Sequence, residues 1–61
     1  MPDEHDVKRV AADLLHERGP QAVEWLIEQA ETAEAIADEE AARTWREIAA
    51  AAEAMLRGRS G

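Results

Sequence analysis

Two histidines, fourteen carboxylates, six arginines, one lysine and two tryptophans carry whatever chemistry this chain of 61 residues can do. His5 stands in PDEHD among carboxylates, and His16 stands alone further on. A structural zinc site draws on Cys and His at short spacings such as HxxxH or HExxH, and the chain has no Cys and no such His pair. Asp3, Glu4 and Asp6 are hard oxygen ligands that hold a divalent ion loosely, but nothing in their pattern requires one. No metal is expected. Glu24/Glu28 and Glu39/Glu40 are carboxylate pairs of the kind used in acid–base catalysis. That work needs a pocket that desolvates one member. A chain of this length has little room for a concave site of several hundred Å³. Thr32, Thr44 and Ser60 have no partnering His, and there is no Gly-rich phosphate loop. Neither a catalytic site nor a cofactor is expected, and the chain does not read as an enzyme.

The net charge of −7 narrows the partners. Nucleic-acid binding gains most of its affinity by neutralising phosphates with Lys and Arg, and this composition is poorly suited to it. The stretch LLHERGPQAVEWL is laid out like a helix-turn-helix, yet its second helix carries Glu where a recognition helix needs basic and amide side chains. An anionic membrane surface is disfavoured for the same reason. No apolar run approaches the ~20 residues of a membrane span, and the start, MPDEHD, is acidic where a signal peptide is basic. A cytoplasmic protein is expected, with a basic partner, or simple solubility, as the natural reading of the charge.

The elements that would position these residues are helices. Val7, Val10, Ala11, Leu14 and Leu15 form an apolar stripe at i, i+3, i+4, i+7 and i+8. Asp3 suits its N-cap. Arg18-Gly19-Pro20 then combines a basic last turn, a left-handed stop and a helix start. The first helix is predicted at 4–18 and the second at 20–37, with Val23, Leu26, Ile27, Ala30, Ala33 and Ala37 on one face. No Gly or Pro interrupts residues 21–57, so one continuous helix is the competing arrangement. Asp38 as an N-cap, followed by Glu39 and Glu40 in a first turn, favours a break and a third helix at 39–57. Its seam, Ala41, Trp45, Ile48, Ala52 and Met55, has spacings of 4, 3, 4 and 3, the a/d alternation of coiled-coil packing. Helices 2 and 3 are therefore expected to form a hairpin with helix 1 crossing its open side. Glu34 should then face Arg43, and Glu31 should face Arg46. Residues 58–61, GRSG, read as a frayed polar tail.

A core of this size is marginal, since a chain this short buries only about 60% of its unfolded surface. A homodimer is accordingly expected, paired through the apolar surface of helix 2 and Trp25. Trp45 lies on the seam and reads as the main filler of a core otherwise built from Ala and short aliphatics. Trp25 lies beside the stripe of helix 2, on the side of Gln29, Thr32 and Ile36. Covered by helix 1 it is structural; left open, Trp25 and Ile36 mark a docking strip, since Trp is enriched in binding hot spots. The expected partner-binding residues are Trp25, Ile36, Glu24 and Glu28.

Leu14-Leu15, Gly19, Ala22, Ala30, Ala37-Asp38, Trp45 and Ile48, with Leu56 near the end, give the chain a further likeness. Over residues 14–56 it resembles a group of short, uncharacterised all-helical proteins common in alphaproteobacteria. These have a Leu-rich helix, a His-Gly turn, an Ala-patterned helix, a Gly-Asp turn and a Trp-x-x-Ile helix. Arg18 stands where that group often has His, and Ala37 where it has Gly. The resemblance implies a helical fold turning at 38 and carries no activity or site. The expected function is a non-enzymatic protein–protein interaction module: an acidic adaptor, accessory subunit or regulator. The alternative is an acidic inhibitor that mimics DNA in a nucleic-acid-binding site.

Overall fold

The computed structural model describes residues 4–60: α1 is Glu4–Arg18, α2 is Gln21–Ala35 and α3 is Glu39–Ser60, with no strand among them. Asp3, the expected cap of α1, lies outside the described residues. Helix α1 buries Val7, Ala11 and Leu15 and half-buries Leu14, while Val10 is 39% exposed at the edge of its stripe. It ends as its sequence dictates. Gly19 takes φ +66°, and its N–H donates to the Leu15 carbonyl at 2.8 Å, the single bond of a left-handed cap. Pro20 falls just before α2, as its N-cap, and its carbonyl accepts from Val23 N–H at 3.3 Å.

The break between α2 and α3 is the decisive local event. Ala37 adopts φ +61°. The Asp38 N–H donates to the Ala33 carbonyl at 2.8 Å, and the Ala37 N–H donates to the Glu34 carbonyl at 3.0 Å. These are the 6→1 and 5→2 bonds of a Schellman motif. Asp38 immediately opens the next helix, its Oδ1 accepting from Ala41 N–H at 3.1 Å. The chain reverses within three residues and α2 and α3 form the closest-packed pair, the hairpin expected from the sequence. A continuous helix is excluded.

The core runs along this hairpin. Ala22, Leu26, Ala30 and Ala33 of α2 are buried, as are Ala42, Ile48, Ala49 and Ala52 of α3. Leu26, at 0% exposure, is the largest fully buried side chain. Ile27, expected on this face, is 38% exposed. Trp45, Ala41 and Met55 of the seam are only half-buried, because α3 serves two neighbours. Its buried arc is wider than an a/d line and takes in Ala42 and Ala49, since α1 packs chiefly on α3 and less on α2.

Two expectations are corrected. Helix α3 continues through Gly58 to Ser60, where a stop at 57 was expected. Glycine permits a left-handed stop but does not impose one. The ion pair of the hairpin joins Glu34 to Arg46, while Arg43 and Glu31 have no ion-pair partner among the described residues. Side chains lean toward the N-terminus of their own helix. Arg46 therefore reaches back toward the turn while Glu34 leans away from it, and the two meet across a register about one turn removed from the backbone pairing.

Ala37 is exposed, so replacing it touches no packing. Alanine in the left-handed region costs roughly 1–2 kcal/mol, and glycine returns part of that to the unfolded chain. Ala37→Gly should raise stability by about 0.5–1 kcal/mol. Asp38→Ala should lower it by about 1 kcal/mol. Urea titration followed by circular dichroism measures both; a loss of stability in Ala37→Gly would contradict the assigned turn.

Candidate interaction surfaces

The residues singled out for chemistry are placed mainly at the surface. His5, His16, Glu24, Glu28, Glu39 and Glu40 are all exposed. Of the acidic N-terminal group, Asp3 and the Glu4 side chain lie outside what the structure describes. Among the described residues no three of His, Cys, Asp and Glu converge on one point. The threonine hydroxyls are committed within their own helices: Thr32 donates to the Glu28 carbonyl at 2.9 Å and Thr44 to that of Glu40 at 3.1 Å.

Grooves of several hundred Å³ do exist, contrary to expectation. One of about 500 Å³ lies between α1 and α3, lined by Val7, Lys8, Glu47, Ala50 and Ala51. Another of about 470 Å³ follows α3 past Glu34, Glu39, Arg43 and Arg46. The alanine run 49–52 makes room for them, since a methyl group leaves the space between helices unfilled. Their carboxylates Glu34, Glu39 and Glu47 stand exposed, so these open troughs supply none of the desolvation that acid–base catalysis needs.

Trp25 is half-buried. Its ring meets Trp45 edge to face, with centroids 5.7 Å apart and planes at 88°. The Arg18 guanidinium lies 4.7 Å from the centroid of the Trp25 ring. One chain of contacts thus joins α1, α2 and α3: a cation on a ring, and that ring against another. Both rings pack against the buried cluster around Leu26 and Ile48. Sequence reasoning placed Trp45 in the core and offered helix 1 as a cover for Trp25; it named neither Arg18 nor Trp45 as the contact. The available signal was Arg18 in the last turn of α1, three residues before a helix whose first turns present the indole.

The four residues expected to bind a partner are not gathered into one patch. Ile36, at 71% exposure, stands at the hairpin tip. It lies eleven residues from Trp25 in the sequence, about 16 Å along a helix axis. Gln29 and Thr32 occupy the intervening side of α2. Glu24 and Glu28 lie on the outer face with Glu31, all exposed. That face is uniformly acidic, since α2 contains no Lys, Arg or His.

If the indole pair holds the bundle, Trp25→Ala and Trp45→Ala should each cost about 2 kcal/mol, below the ~3–5 kcal/mol of a fully buried ring. Their effects should be coupled by about 1 kcal/mol in a double-mutant cycle. Arg18→Ala should cost about 0.5 kcal/mol, as its guanidinium is exposed. Denaturant unfolding of the four chains of the cycle decides it, and strictly additive losses would show that the rings do not act on each other.

Compared with protein-family models, curated proteins and solved structures, the chain has no match, so what it does must be argued from these surfaces alone.

Proposed function

We propose that the protein is a non-enzymatic interaction module that docks on a basic surface of another protein through the outer face of α2. The observation that carries this reading is the charge of that face. Glu24, Glu28 and Glu31 are exposed at i, i+4 and i+7 on a helix without a single cation. Like charges at this spacing destabilise an isolated helix by a few tenths of a kcal/mol each, and a basic partner would relieve that cost. Ile36, exposed at the hairpin tip just past the last residue of α2, offers a separate apolar anchor. Trp25 enters this reading indirectly: bound to Arg18 and Trp45, it fixes how α2 sits on the bundle. Charge steers the approach and sets orientation, while the apolar contact sets residence time.

The test is capture of partners from native lysate by the wild type, by Glu24→Gln/Glu28→Gln and by Ile36→Ser, across a salt series. The double Gln variant should bind a specific partner about tenfold more weakly at low salt, the effect of two ion pairs of up to about 1 kcal/mol each. Ile36→Ser should weaken binding at every salt concentration. Should both variants retain the same partners as strongly as the wild type, the reading fails. Displacement of the captured protein by duplex DNA would instead favour an acidic mimic seated in a nucleic-acid-binding site.

A further inference from the structure

The outward face of α3 differs from that of α2 in one respect: it carries both signs of charge, which nearly cancel. Glu39, Arg43, Arg46, Ala50, Glu53 and Arg57 are spaced 4, 3, 4, 3 and 4, which keeps them on one line along the helix. All six are exposed. Arg46 also holds Glu34, and Arg57 lies 3.8 Å from Glu53. Around Ala50 the surface is low, with the grooves of about 500 and 470 Å³ meeting there and exposed Ala54 beyond it.

We propose that this face pairs with the same face of a second copy, α3 against α3, antiparallel about a two-fold axis near residue 48. In that register Glu39 faces Arg57 of the second copy and Arg43 faces its Glu53. Arg46 meets Ala50, whose small side chain leaves room for it. A two-fold axis makes each contact occur twice. The order of charges selects this register. Moving the partner by four residues one way sets Arg43 against Arg57 and Glu47 against Glu53. Moving it four the other way sets Glu39 against Glu53 and Arg46 against itself. Such like-charge contacts disfavour both four-residue shifts. The low surface at Ala50 allows the close approach of helix axes, about 8–10 Å, and the flanking grooves receive the partner's longer side chains. Electrostatics also chooses the face. Two chains of charge −7 repel, and pairing through α2 would set Glu against Glu. The interface is small and charged, so the dimer is weak. It shares no residue with the α2 surface and does not rest on that function.

Sedimentation equilibrium of the intact chain, up to about 1 mM protein, spans the affinity range of such a contact. In about 0.15 M salt, where screening sets in beyond ~8 Å, the average mass should rise from 6.7 kDa toward twice that value. Arg43→Glu and Glu53→Arg should each weaken self-association at least tenfold. Mixed in equal amounts, the two variants should recover it, because every reversed contact is complementary in the mixed pair. Circular dichroism shows whether each variant is folded. A mass that stays at 6.7 kDa, variants that self-associate like the wild type, or folded variants that do not associate when mixed would each overturn the proposal.

Discussion

The hairpin depends on one alanine held in a conformation that alanine resists. With Ala37 at φ +61°, the last carbonyls of α2 are satisfied by the N–H groups of Ala37 and Asp38, and the chain leaves in the opposite direction. Asp38 then caps the first N–H groups of α3. Without this reversal, the alanine faces of α2 and α3 would point along one rod and bury nothing against each other. A reversal this local closes at little loop-closure cost, and it determines which carboxylates face outward. The strain at residue 37 is tolerable because two hydrogen bonds and a side-chain cap converge on three residues.

Alanine dominates the interface that the turn creates. Ala22, Ala30, Ala33, Ala42, Ala49 and Ala52 are buried, with Leu26 and Ile48 as the larger members. Small side chains bring helix axes close but contribute little apolar area each. The two tryptophans offset this. Trp45 and Trp25 meet edge to face, and Arg18 covers the second ring, so the contact also fastens α1. That is an economical arrangement for a chain without cysteine: three helices are tied at one place by the largest side chains available.

Much of this was legible in the sequence, for a physical reason. Helix ends are set by local chemistry, so Arg18-Gly19-Pro20 and Asp38 could be read directly, and the three-helix order with its hairpin followed. What depends on angular placement was less legible. Val10 and Ile27 sit at the edges of their stripes, and only the packing of the third helix decides that they face solvent. The partner of Glu34 depends on the lean of two side chains, which residue spacing does not encode. Gly58 shows the converse: a glycine allows a stop, and here the helix continues through it. Trp25 was recognised as lying beside the stripe, but its commitment to Arg18 and Trp45 is a tertiary fact.

The division of charge between α2 and α3 follows from the same geometry. A two-helix hairpin turns one edge of each helix outward, and these two edges carry different electrostatics. The α2 edge holds only carboxylates, which favours a basic surface of a different protein and repels its own copy. The α3 edge holds both signs in an order that is complementary to its own reverse, which favours its own copy over a uniformly charged partner. The two edges need not compete for a partner, because a surface that suits one is a poor electrostatic match for the other. A net charge of −7 spread evenly would only keep the protein soluble; segregated as it is, it gives two faces with opposite preferences.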